Sequence, residues 1–100
     1  MPGSGRTKTS QSKHDNKVLA EAKKLKREQY NVSADIAGYK KPPSRGGYVP
    51  DIIAKKGNEE IIIEVETVDS ADSARDLAQQ GAFQRAARKP GVKFKRIIAK

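Results

Sequence analysis

A chain of 100 residues with 35% apolar content has room for one small domain and not for two independent cores. Its 21 Lys and Arg against 12 Asp and Glu give a formal net charge of +9, a balance that favours polyanionic partners because each neutralised phosphate releases condensed counterions. With no cysteine and a single histidine, His14, disulfide frameworks, thiolate zinc sites and cysteine nucleophiles are excluded, and any metal must be held by oxygen ligands.

Residues 1–14 contain Met1 and no other large apolar group; such a stretch cannot bury enough surface to offset its ordering entropy, so it reads as a disordered basic tail with His14 a passive residue at its boundary. From Asp15, the residues Val18, Leu19, Ala22, Leu25 and Gln29 recur at helical spacing, with Ser12 or Asp15 available as a cap. A first helix over 15–29 follows, cationic on its outer faces. Tyr30 to Ile36 alternates in period two and reads as a strand. The Gly-, Pro- and Lys-rich segment 38–50 is a loop. Asp51–Ala54 and Glu60–Thr67 are β-branched runs joined by a hairpin with Gly57-Asn58 at its tip. A second helix is predicted over 71–88, capped by Asp69 or Ser70, with Ala71, Ala74, Leu77, Ala78, Phe83, Ala86 and Ala87 inward and Pro90-Gly91 ending it. Gly81 inside it implies close packing on the sheet. Residues 93–99 close the chain as a last strand. The expected architecture is an α/β domain over 15–100, in the order α-β-β-β-α-β, with helices on a mixed sheet.

Formal charge is +5 over residues 1–29, +2 over 30–50, −4 over 51–70 and +6 over 71–100. The acidic island reads either as a solvated strand and turn or as a divalent-cation site framed by phosphate-binding cations. The hairpin register bears on that choice. With Gly57 and Asn58 as the two turn residues, Asp51 falls opposite Glu64, and Glu66 shares the same face because strand side chains alternate. Ile61, Ile63 and Val65 form the apolar seam, leaving Glu64 and Glu66 to look outward. Two carboxylates about 5 Å apart repel by roughly 3 kcal/mol at an effective dielectric of about 20. A proton, a Lys or a hard cation such as Mg²⁺ or Mn²⁺ would relieve that repulsion.

Pro50-Asp51 followed by Glu64-Val65-Glu66, on two adjacent strands after one helix and before another helix and strand, resembles the PD-(D/E)xK nuclease superfamily with its restriction-endonuclease-like fold. In size and order the chain is most similar to the small archaeal Holliday-junction resolvases. The resemblance implies metal binding by Asp51 and Glu64, by the Val65 carbonyl and by Glu21 of the first helix, with Asp51, Glu64 and Glu66 as the catalytic set. Glu66 stands where the family usually has Lys, as it does in some restriction enzymes of the superfamily. Arg75, on the following helix, is the nearest cation to substitute for that Lys in holding phosphate. The loop cations Lys40, Lys41 and Arg45, with Tyr48, suit phosphate contact and base stacking, or else belong to a solvated loop.

Two function classes remain in front. One is a Mg²⁺-dependent DNA endonuclease, structure-specific if it follows the resolvases; the other is a non-catalytic nucleic-acid-binding module on the same fold. A ribosomal-type RNA-binding protein accounts for the charge but not for the acidic cluster. DNA is favoured over RNA as partner, and the small footprint of 100 residues, with the pairing habit of related small nucleases, points to a homodimer. The longest apolar runs are as short as Ile61-Ile62-Ile63 and no signal-peptide pattern follows Met1, so the chain reads as a soluble cytoplasmic protein with no membrane partner.

Overall fold

The alternation in Glu59–Thr67 sends Ile61, Ile63 and Val65 to one face of a strand and Ile62, Glu64 and Glu66 to the other, and both faces find a covering helix. A computed structural model describes residues 8–68 and 74–99, with side chains from Gln11 onward. Its elements are α1 (Lys8–Arg27), β1 (Asn31–Ala34), β2 (Ile52–Lys56), β3 (Glu59–Thr67), α2 (Ala74–Ala86) and β4 (Val92–Ala99). The strands form one sheet in the order β1-β2-β3-β4. β1, β2 and β3 pair antiparallel, whereas β4 returns through α2 to lie parallel to β3. The predicted element order and mixed α/β sheet are both present.

The hairpin register is the one the turn residues dictate. Ile52 pairs with Ile63 and Lys56 with Glu59, leaving Gly57 and Asn58 as the two-residue turn. Gly57 has φ +58, the left-handed backbone such turns require. Across the sheet, Ala34, Ile52 and Ile63 form one row and Ser33, Ile53, Ile62 and Phe94 the next. The first row belongs to the main core, where Ile52, Ala54, Ile63, Val65 and Ala99 meet Val18, Ala22 and Leu25 of α1. Each large aliphatic side chain buried there contributes about 1.5–3 kcal/mol. The second row carries Phe83 of α2, whose ring lies 5.7 Å from that of Phe94.

Helix α1 begins before the expected start at Asp15, so residues 8–14 are helical rather than a disordered tail; residues 1–7 lie outside the described residues. Ser12 and Asp15 therefore sit inside the helix rather than capping it. The helix has an ordered start because His14 continues the stripe of Val18, Ala22 and Leu25 and is itself only 5% exposed. At the other end Gln29, at φ 73, closes the helix. Gln29 N donates to Lys26 O and Tyr30 N to Leu25 O, each at 3.0 Å, the paired bonds of a Schellman cap.

Helix α2 is turned differently from the expected face. Asp76, Ala82 and Phe83 are buried, whereas Leu77 is 55% exposed and Ala74 and Ala78 face solvent. The predicted caps Asp69 and Ser70 and residues 71–73 fall outside the described residues. Gly81 does not meet the sheet; the nearest atom to a Cβ there would be an Arg85 guanidinium nitrogen at 3.4 Å. No helix among the described residues is long and apolar enough to cross a membrane.

Candidate active site

Pro50 is buried and delivers Asp51 to the mouth of β2, one residue before the ladder with β3 begins. The sheet continues past its last paired residues through the Asp51 side chain. Val65 N, which has no β2 carbonyl opposite it, donates to Asp51 Oδ2 at 2.8 Å. The Asp51 amide donates in turn to Glu64 Oε1 at 3.2 Å, and its carbonyl accepts from Asp35 N at 2.9 Å. Asp51 is thus held by three hydrogen bonds, two to β3 and one to the residue that follows β1. The predicted cross-strand meeting of Asp51 with Glu64 is present.

The fourth restraint comes from α1. His14 Nε2 lies 3.1 Å from Asp51 Oδ1 and His14 Nδ1 lies 3.0 Å from Asp15 Oδ1, so the ring is strung between two carboxylates. The expected passive residue is therefore part of the acidic centre. Its sequence signal was its place four residues before Val18 and eight before Ala22, on the buried stripe. Glu21, the α1 acid implied as a metal ligand, instead pairs with Lys17 at 3.3 Å.

Glu64 and Glu66 are not outward-facing: they are 5% and 3% exposed. Burial, reinforced by the negative charges of Asp51 and Glu66, pushes the Glu64 carboxyl up to about 10. Desolvation and nearby like charges both favour the neutral form of a carboxyl. Among the described residues no three His, Asp or Glu side chains converge to hold a metal. What is present is a carboxylate pair, Asp51 and Glu64, beside the Val65 backbone. One or two carboxylates completed by water and substrate phosphate is the donor set Mg²⁺ accepts, so the chemistry of the pair fits that ion.

Sequence reasoning also missed the polar lid of this centre. Arg96 of β4 stands in register with Glu64 of β3. Its Nη2 donates to Asp76 Oδ2 at 3.1 Å, and Gln80 Nε2 donates to the same oxygen at 2.9 Å. Asp76, 2% exposed, thus ties the first turn of α2 to the strand edge beside Glu64. Arg75, expected to replace the missing Lys, is exposed on the neighbouring position of that turn. The signal for Arg96 was available in the period-two alternation that puts it on the face of Phe94.

The loop residues separate into two groups. Lys40 and Lys41 are exposed. Arg45 is not free: its Nε and Nη2 donate to Glu60 at 3.0 and 3.1 Å, and its backbone closes a bridge with Tyr48. The Tyr48 ring in turn meets Phe83 edge-on, with centroids 6.5 Å apart. Arg45 and Tyr48 hold the loop to the domain.

A family model described as REase_AHJR-like matches residues 6–100. The chain belongs to that restriction-endonuclease-like family. The match spans both helices and all four strands of the AHJR-like chain, including His14, Asp51 and Glu64. No curated protein matches the chain significantly.

Proposed function

We propose that the protein is a metal-dependent endonuclease of DNA, with Asp51 and Glu64 as its metal-binding acids and Mg²⁺ or Mn²⁺ as the ion. The observation that carries this reading is the convergence of Asp51 and Glu64 at the β2–β3 mouth, in a chain whose overall net charge is +9. A divalent ion held there would supply Lewis acidity and offset charge on the phosphate. The remaining work falls to the protein. The Val65 amide and His14 fix both oxygens of Asp51. Glu64 gives up its proton when the cation binds, so metal affinity rises with pH. Glu66, buried two residues along the strand from Glu64, would accept the proton of the attacking water as its oxygen bonds to phosphorus and the P–O ester bond breaks. Lys40 and Lys41 hold the DNA backbone at the loop that leads into Asp51.

One observation favours the second reading, a binding module without catalysis: Glu66 occupies the position of the usual Lys, and Arg96 beside Glu64 is already tied to Asp76. A cleavage panel separates the two. Linear duplex, single-stranded, flap and four-way-junction DNA are incubated with the protein in Mg²⁺, Mn²⁺ or EDTA. Cleavage of at least one substrate in metal and none in EDTA supports the enzyme. Tight binding with no cleavage of any substrate supports the module. Four-way-junction preference with paired nicks would further support action as a homodimer.

A further inference from the structure

The loop Ser44-Arg45-Gly46, the last turns of α2 and the start of β4 border an open concavity of about 660 Å³, lined by Glu60, Ala82, Arg85, Ala86, Lys89 and Val92 besides the loop. Its one lining acid is already neutralised. Glu60 accepts both arms of the Arg45 guanidinium and has Lys55 Nζ 3.8 Å away, and the Arg45 hydrogen bonds hold its carboxyl below the usual range. Arg85 and Lys89 are different. Both are exposed, and among the described residues neither lies within ion-pair distance of a carboxylate; Lys89 acts on Glu60 only at longer range, after Arg45 and Lys55, so the opening carries an excess of cations over its one acid.

The wall opposite them is set by backbone. Gly46 has φ +61 and is pressed against α2, such that a Cβ there would lie 2.9 Å from Ala82 Cβ. The Arg45–Tyr48 bridge and the Tyr48–Phe83 contact hold that loop in place. The concavity is therefore preformed rather than a gap between mobile side chains.

Its position relates it to the acidic centre. Glu60 shares a face of β3 with Glu64 and Glu66, four residues earlier in the strand. At strand rise that separation is about 13 Å, the length of about four base-pair steps measured along a duplex axis at 3.4 Å each. The two sites lie at opposite ends of α2.

We propose that this concavity is a phosphate subsite, in which Arg85 and Lys89 take a backbone phosphate of the same DNA strand that reaches Asp51 and Glu64. The proposal rests on the nucleic-acid reading above. It sets the direction in which the strand crosses the domain, along α2 from Asp76 towards Lys89, and it assigns binding to cations of α2 and the turn after it, other than Lys40 and Lys41.

The test is fluorescence anisotropy of a labelled duplex DNA titrated with the full chain in EDTA, over a range of salt concentrations. The double variant Arg85→Ala/Lys89→Ala is compared with Lys23→Ala/Lys24→Ala, which removes the same charge from the exposed side of α1. The subsite predicts a loss of about tenfold or more for the first pair, a log–log salt slope shallower by between about 1 and 2, and near wild-type binding for the second pair. Equal losses for the two pairs would overturn the subsite and leave the nuclease reading untouched. A selective loss in a protein that cleaves nothing would support the subsite and remove the nuclease reading. A calorimetric titration with inorganic phosphate distinguishes the source of the anion. If phosphate binds wild type and not Arg85→Ala/Lys89→Ala while DNA affinity is the same in both, the pocket takes a free anion and the strand assignment is overturned.

Discussion

Replacing Glu64 by Gln isolates the electrostatic state of the acidic centre. Its carboxyl is pushed up to about 10 by burial and by Asp51 and Glu66, against an ordinary glutamate value of about 4.3 in the unfolded chain. Between those two values the folded protein keeps a proton that the unfolded chain has released. Stability is then fully present below the unfolded value and falls as pH rises towards the folded one. The limiting slope is about 1.4 kcal/mol per pH unit for one proton, so the loss between pH of roughly 7.5 and 9.5 is on the order of 2 to 3 kcal/mol. For a domain of this size the corresponding fall in Tm is on the order of 10 to 20 °C. That window also avoids the range in which ordinary imidazoles titrate. Glu64→Gln keeps an oxygen to accept from Asp51 N but carries no titrating proton, so its Tm should be nearly level across the window. The assay is thermal unfolding followed by circular dichroism in EDTA at several pH values. Parallel curves for wild type and Glu64→Gln would refute the assignment of a raised carboxyl to this residue. Adding Mn²⁺ should level the wild-type curve as well, because cation replaces proton.

Three further outcomes follow from particular contacts. His14→Ala removes the group at Asp51 Oδ1 and should lower metal-dependent cleavage by roughly 10- to 100-fold while far-UV circular dichroism still reports a folded chain; unchanged turnover would show that His14 does not position Asp51. Arg45→Ala breaks the forked pair with Glu60 and should reduce stability in urea by about 1–2 kcal/mol, whereas Lys40→Ala/Lys41→Ala should leave the urea midpoint in place and weaken DNA binding. Phe83→Ala, at a side chain with no exposed surface, should lose about 3–5 kcal/mol in the same denaturation, and a loss under 1 kcal/mol would mean that α2 does not pack on Phe94 as described.

How much of this was legible in the sequence depended on the range of the interaction. The β2–β3 register followed from two turn residues and the alternation of Glu59–Thr67, and that register alone brought Asp51 to Glu64. Alternation states which side chains share a face, not whether a helix covers that face, so Glu64 and Glu66 were expected outside and are buried. The start of α1 was hidden because its early residues are polar; His14 lies on the stripe of Val18 and Ala22, but its contact with Asp51 joins two elements and has no local sign. The Asp76–Arg96 pair joins residues from separate elements. An aspartate in an alanine-rich helix gives no local sign of facing inward, and Leu77, the apparent core residue, turned out to be exposed. Arg45 and Tyr48 looked like binding residues because a loop cation and a loop aromatic have the same composition whether they hold DNA or hold the loop.

The nuclease centre proposed at Asp51 and Glu64 depends on a bound divalent ion. Its most direct test is the rate at which wild type and Asp51→Asn nick supercoiled plasmid DNA in Mn²⁺, with DNA binding measured in parallel. Asp51→Asn removes a charge from a repulsive cluster and keeps the side chain's shape. The account predicts Mn²⁺-dependent nicking by wild type, a loss of about a hundredfold or more in Asp51→Asn, and little change in DNA affinity measured in EDTA. Nicking by Asp51→Asn at the wild-type rate, or by wild type equally in EDTA, would contradict it.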